Sequence, residues 1–447
     1  MKKTRISAPG LSALLLLCAP LWACSGTALT PDSGDAGAGG GSAAGGGTSV
    51  GGGSAVGGGS ATGGGTATGG GTAAGGGTAT GGGTAAGGGT AAGGGTGAPD
   101  AGADSLPDPT VTGHILDVCP TGCTYALPSQ AFAAAIDGDT IELHFASYVD
   151  CGTITANNVI VKGLLSNGAR PAVHDKVCGR KGIFIVQGAN VLIQDLEFYG
   201  AVDPTENDRN WACIRWDTVA TAVNLKVRSC WLHDADDGLL GRNVSGALVT
   251  NTLVIERSLF EKLGRAGYAH GMYVGDGVTN FVLRNSIVRS NHDDGHLVKS
   301  RALRSVLTCN TIAALEGLNS FAVDLPQGGT GILTNNVIEA GPHLNNGSNF
   351  MVNFAEENGN NAPHALQLVH NVFLNDYTAQ GRVNVTPLTT DLSGWSGNTY
   401  AGTGGSMLLV NATSQAGSFT NYATRAAGGF AEFDGGMGSL PAPAPCP

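Results

Sequence analysis

The feature that most constrains this chain is a recurrence. Six short apolar segments each end in a small residue: Val227–Cys230, Ile255–Ser258, Leu283–Ser286, Leu307–Asn310, Leu333–Asn336 and Leu368–Asn371. Their last positions lie 28, 28, 24, 26 and 35 residues apart, and Asn398 extends the series by 27 more. Periods of about 20 to 50 residues mark stacked supersecondary units. The apolar pieces are too short for helices and rich in Val, Ile, Leu and Thr. Gly, Asn and Asp separate them, so they read as strands joined by tight turns. The expected fold is all-β, a right-handed parallel β-helix. Its Cys/Ser/Asn column becomes a polar ladder at one corner, where a small hydrogen-bonding side chain satisfies turn backbone. Such a solenoid presents a long face on which side chains from successive turns line up.

The first residues belong to something else. Lys2, Lys3 and Arg5 precede an apolar run, Leu11 to Trp22, and Ala23-Cys24 follows. Residues 1–23 resemble a bacterial lipoprotein signal, with the mature chain starting at a lipidated Cys24 and anchored to a membrane. An ordinary secretory signal is the alternative, and export follows from either. Ser25 after the cysteine points to the outer membrane or cell surface. Gly39 to Ala98 is a run of GGG-(S/T)-x-x hexads with no charge and almost no large side chain. Residues 24–104 are therefore expected to be a disordered tether, whose 60-residue repeat would span about 40–45 Å root-mean-square.

Residues 105–447 form one domain, expected to be monomeric; solenoids grow along one axis and can exceed the size of a compact globule. The formal charge is −11, from 23 basic and 34 acidic residues, which argues against nucleic acid as a partner. It leaves room for an acidic sugar polymer on a local basic patch. Eight cysteines follow Cys24. An even number in an exported chain suggests disulfides, with Cys119–Cys123 and Cys151–Cys178 as local staples. Cys213, Cys230 and Cys309 could instead be buried thiols, and nothing pairs convincingly into a zinc site.

Ser129 can N-cap a short helix, Gln130–Ile136, that plugs the open apolar end of the solenoid. Thr140–Phe145 follows as a strand, and Asn158–Gly163, Gly182–Gln187 and Val191–Phe198 continue the turns of the solenoid. The run from Cys119 to about Asn375 resembles the exported right-handed β-helix proteins of the pectate-lyase-like superfamily. Distinctive matches are His270–Val274 (HGMYV), Gly295–Ala302 (GHLVKSRA) and Asp324–Gly329 (DLPQGG); Gly138–Ile141, Val186–Phe198 and Asp237–Leu240 are more general. Residues 209–215 (RNWACIR) depart from the family at Trp211 and Cys213. The particular family has no established activity. The superfamily holds polysaccharide lyases, glycosidases, epimerases and non-catalytic adhesins, so the resemblance implies a fold and leaves the activity open.

Face parity selects the candidate site. Four segments align: His270–Gly275, His296–Arg301, Phe321–Pro326 and Phe350–Ala355. Strand side chains alternate faces. His270, Met272, Val274, His296, Val298, Ser300, Phe321, Val323, Leu325, Phe350, Val352 and Phe354 share the inward face. Tyr273, Lys299, Asp324 and Asn353 form one outward column, with Arg301 beside it and Gly271 and Gly275 leaving room for a ligand. Parity makes His270 and His296 core or corner residues; a strand bent at its first residue would turn them toward a ligand instead.

The column suits β-elimination on a uronate-containing polysaccharide. The sugar carboxylate must be neutralised to acidify the adjacent carbon, and a base must then remove its proton. Arg301 can hold a carboxylate bidentately. Lys299 sits where some lyases of the superfamily carry a catalytic lysine and is the expected base, although Asp324 next door acts against that role. Those lyases have an arginine on the following turn, where this chain has Asp324. Tyr273 is the reserve acid or base, while Asp324, Asn353, His270 and His296 are candidate substrate contacts. No cofactor is required by the sequence. Calcium is one that Asp234, Asp236, Asp237, Asp293 and Asp294 could ligate, and ordinary turn chemistry is the competing reading of those residues. A glycosidase would need paired carboxylates, for which Asp236-Asp237 is the faint candidate. A non-catalytic glycan-binding or adhesive surface protein would use the same face without turnover.

Overall fold

The computed structural model describes residues 105–205, 210–220, 222–241, 250–345, 347–357, 359–386 and 389–444. The expected signal segment, the tether with Cys24, and Cys446 lie outside the described residues.

The chain winds as a right-handed parallel β-helix. Successive strands join three parallel sheets in rotation. One full turn shows the order: Val298–Ser300 in sheet one, Arg304–Thr308 in sheet two and Thr311–Ala313 in sheet three. Sheets one and two have 10 strands each and sheet three has 11. Inward positions of all three sheets fill a continuous apolar interior that includes Phe184, Phe198, Trp216, Phe260, Phe281, Phe354 and Phe373.

The corner between sheets two and three follows the sequence recurrence. Ser229, Arg257, Asn285, Cys309, Asn335 and His370 all adopt positive φ, between 50° and 57°. One left-handed residue reverses the chain sharply, and the residue after it turns its side chain inward. Ser258 Oγ accepts from the Cys230 N–H, and Ser286 Oγ from the Ser258 N–H. Asn310 Oδ1 then accepts from the Ser286 N–H, Asn336 from Asn310, Asn371 from Asn336 and Asn398 from Asn371, each at 3.0 Å. The amide nitrogens of Asn310, Asn336 and Asn371 donate at 2.8 Å to the carbonyls of Leu283, Leu307 and Leu333. Every rung is buried. Amides outperform hydroxyls here because one side chain accepts an N–H of the previous turn while its two-proton nitrogen donates both to a carbonyl of that turn and to the amide oxygen of the next rung.

The capping helix spans Pro128–Ala134, two residues earlier than expected. Pro128 presets the first helical φ. Gln130 Oε1 reaches back to accept from Ala126 and Leu127, at 2.9 and 3.2 Å. Ser129 makes no cap; its N–H donates to Asp150 instead. The helix sets Phe132 edge-on against Phe184, with centroids 4.8 Å apart, and so closes the apolar end. A Cβ on Gly152 would meet the Phe132 ring at 2.6 Å, which explains glycine on the first strand of sheet one. The turn expected over residues 191–198 is two strands, Val191–Gln194 and Glu197–Tyr199, joined at Asp195 by the same left-handed corner.

Cys119–Cys123 and Cys151–Cys178 are disulfides as expected. Cys213 and Cys230 are buried free thiols, while Cys309 is disulfide-bonded, which removes it from the free-thiol set. Burial pushes the Cys230 thiol up to about 12 and raises Cys213 as well, so both pack as small apolar groups.

Candidate functional site

Sheet one carries the expected column. Tyr273 pairs in register with Lys299, Lys299 with Asp324, Asp324 with Asn353, and Asn353 with Asn384. Met272, Val274, Val298, Ser300, Val323, Leu325, Val352 and Phe354 alternate with these residues and are buried. The strand register and the choice of outward face are therefore as expected.

Accessibility is not. Lys299 is only 9 % exposed, Asp324 2 % and Asn353 1 %. They do not face the core; residues 355–357 follow the Phe350–Phe354 strand and bring Glu356 and Glu357 over them. Lys299 Nζ lies 3.5 Å from Asp324 Oδ2 and 3.4 Å from Glu357 Oε1. Arg301 donates from Nε to Glu357 Oε2 at 3.0 Å, and its two terminal nitrogens bond Glu357 and the Tyr273 hydroxyl. Asn353 bridges Asp324 and Glu356, at 2.8 Å to each, and accepts from Asn384 at 2.8 Å. The outward column, expected to leave room for a ligand, is instead a covered charge network. Glu357 is the member that parity could not find. Its one trace in the sequence is the long 35-residue spacing between Asn336 and Asn371, which accommodates the extra residues.

Of the two histidines read as core or corner residues, His270 is buried and His296 turns toward the outward column. The strands of their turns start at Met272 and Val298, so both precede the region where alternation applies. Their rings stack 4.8 Å apart, and His296 stacks on Phe321 at 4.6 Å. His296 Nε2 comes within 3.4 Å of Asp324 Oδ2, which places it against the outward column. His270 Nδ1 accepts from the His296 N–H at 3.1 Å. Desolvation drives His296 down to about 3 and His270 well below the usual imidazole range, and the cations of Lys299 and Arg301 act in the same sense. Both rings are neutral at physiological pH.

Burial raises the Asp324 carboxyl to about 6 against the opposing pull of Lys299 and Asn353. Burial likewise raises the Tyr273 phenol. Burial also opposes ionisation of Glu357, but Lys299 and Arg301 outweigh it and hold the carboxyl below its ordinary value. For Arg301, desolvation is outweighed by Tyr273 and Glu357, and the guanidinium is raised. The expected ligand room beside Gly271 is absent, since a Cβ there would meet Leu297 O at 2.4 Å.

Open space lies on the other side of Tyr273. A groove of about 310 Å³ is lined by Arg180, Lys181, Asn210, Arg215, Leu240, Gly241 and Tyr273. Arg215 and Leu240 continue the outward column through Tyr273. Arg215 Nε has no hydrogen-bond partner among the described residues, whereas Lys181 is paired with Asp217 at 2.9 Å. Arg215 sits in the segment where the chain departs from the resembled family, so the resemblance offered no route to it.

The five acids proposed for calcium are engaged with the protein. Asp234 bonds His233 at 2.6 Å, Asp236 accepts from the Asp203 N–H at 2.9 Å, and Asp237 from the His270 N–H at 2.8 Å. Asp293 accepts from Ala266 and Asp294, and Asp294 from the Ser320 hydroxyl. Among the described residues no group of three or more such side chains is assembled around one point. Asp236 and Asp237 are both fully buried and both raised by desolvation, so they offer no open carboxylate pair of the kind a glycosidase requires.

No protein-family model and no curated protein matches this chain. Among solved structures, the crystal structure of pectate lyase Pel9A aligns with a TM-score of 0.35 and 15% identity, covering 69% of this chain and 77% of that one.

Proposed function

We propose that the outer face of sheet one binds a uronate-containing polysaccharide, with Arg301 and Lys299 reading the sugar carboxylate. The observation that supports this most is the basic groove of Arg180, Lys181 and Arg215 leading to Tyr273, in a chain whose formal charge is −11. A local run of cations on an acidic protein concentrates an anionic polymer at one place. Titration of the full chain with polygalacturonate and with a neutral galactan tests this reading. Binding to polygalacturonate alone, weakening with salt, is the expected result. Equal binding to both would dismiss the role of charge.

β-Elimination is the reaction this arrangement best supports. A carboxylate held by the Arg301 guanidinium is neutralised, which acidifies the adjacent C–H. Lys299, in its neutral amine form, then takes that proton as the C–O bond to the leaving sugar breaks and water protonates the departing oxygen, while Tyr273 bonds the Arg301 that holds the carboxylate. Unsaturated products absorbing near 235 nm mark turnover; binding without that absorbance marks a glycan-binding surface protein. We further place the protein at the cell surface, anchored through lipid on Cys24 by the tether. Cys24→Ala is expected to move it from the membrane to the soluble fraction, and continued membrane retention would dismiss the anchor.

A further inference from the structure

Glu357 divides its carboxylate between two cations. Oε1 lies 3.4 Å from Lys299 Nζ, and Oε2 accepts from Arg301 Nε at 3.0 Å. That is the contact pattern a uronate carboxylate needs on this face. We propose that Glu357 is an internal stand-in for the ligand carboxylate. A uronate chain must displace it to reach Lys299 and Arg301, so Glu357 sets the affinity of the face. The inference rests on the uronate-binding reading above.

Three observations make the displacement feasible. The Glu357 side chain is 43% exposed, while those of Lys299 and Arg301 are 11% and 20% exposed. It can swing into solvent without opening the core. Its backbone is held independently of its carboxylate: the Glu357 N–H donates to Pro326 O at 2.8 Å, and Asn361 Nδ2 donates to Arg301 O at 3.1 Å and Ala302 O at 3.2 Å. Glu356 cannot substitute for it, because Glu356 bonds Asn353. The two cations also explain why an internal anion is present. Lys299 keeps Asp324 when Glu357 leaves, but Arg301 keeps only the neutral Tyr273 hydroxyl among its described side-chain partners. A partly buried guanidinium without a counter-ion is costly, and an arriving carboxylate removes that cost. With Glu357 in place, the competent state is a minor one, and apparent affinity falls by its fraction.

Glu357→Ala and Glu357→Gln, titrated calorimetrically with polygalacturonate beside the wild-type full chain, test this. Affinity should rise about tenfold or more in both variants, as expected when a competing state is removed. Fully methyl-esterified polygalacturonate, which lacks the carboxylate, should show no gain. If the wild type binds and both folded variants bind equally or more weakly, Glu357 is not a competitor and the proposal falls while the uronate reading stands. If neither wild type nor variants bind polygalacturonate, both fall together. Gln retains most of the packing, so a melting curve for that variant separates misfolding from lost competition.

Discussion

Two columns run along this solenoid under the same stacking rule and reach opposite ends. The corner ladder from Cys230 to Asn398 and the sheet-one column from Tyr273 to Asn384 both place one side chain per turn, about 4.8 Å apart. In the ladder each side chain bonds backbone of its own and adjacent turns, so its partners are supplied by the fold itself. In the sheet-one column the partners are other side chains, several delivered by a connection 56 to 58 residues away in sequence. A polar column satisfied by backbone is structural. One satisfied by exchangeable carboxylates can trade a partner for a ligand.

Removing a ladder amide should give the largest effect on stability. Asn336→Leu leaves the Asn310 N–H, Leu307 C=O and Asn371 Oδ1 each short of a partner inside the protein. At about 1–3 kcal/mol for each unsatisfied group, the loss should reach about 3 kcal/mol or more by chemical denaturation. Glycan affinity should not change; a neutral denaturation midpoint would erase the contrast between the columns. Arg301→Ala should do the reverse, weakening polygalacturonate binding about tenfold or more. Its melting temperature should stay within a few degrees, because its ion pair with Glu357 is partly solvated.

Lys299→Ala should behave like neither. Lys299 helps an entirely buried Asp324 to ionise, and Asp324 titrates near 6 in the folded protein against an ordinary 3.8. A raised carboxylate favours folding most below about 3.8 and loses that contribution as pH rises toward 6. Without Lys299, Asp324 resists ionisation further. The variant should therefore match the wild type at pH 5 and fall below it at pH 8 in denaturation experiments. A pH-independent difference would mean that Lys299 does not act through Asp324. The smallest effect is expected at the groove: Arg215→Ala should weaken binding by a few-fold at low salt and by less at high salt, as a rim charge does.

Much of this contrast was legible beforehand. The Cys/Ser/Asn recurrence located every rung of the ladder, because left-handed corners and small polar side chains are local requirements of the turn. Alternation placed Tyr273, Lys299, Asp324 and Asn353 on one outward line, because the strand period of two is a property of the backbone. His270 is buried, in keeping with the core-or-corner reading, whereas His296 reaches Asp324 because it lies before its strand begins, where alternation has no force. Arg215 was obscured by a segment unlike the resembled family.

Sequence alone therefore determined the winding, the corner and the facing of sheet one, since each follows from rules acting within a few residues and repeated every turn. Only the tertiary structure decided that the column is covered, that Glu357 neutralises its cations, and that His296 meets Asp324. Those contacts depend on where connections of irregular length come to rest, and no local period encodes how a longer loop folds back over the face it leaves.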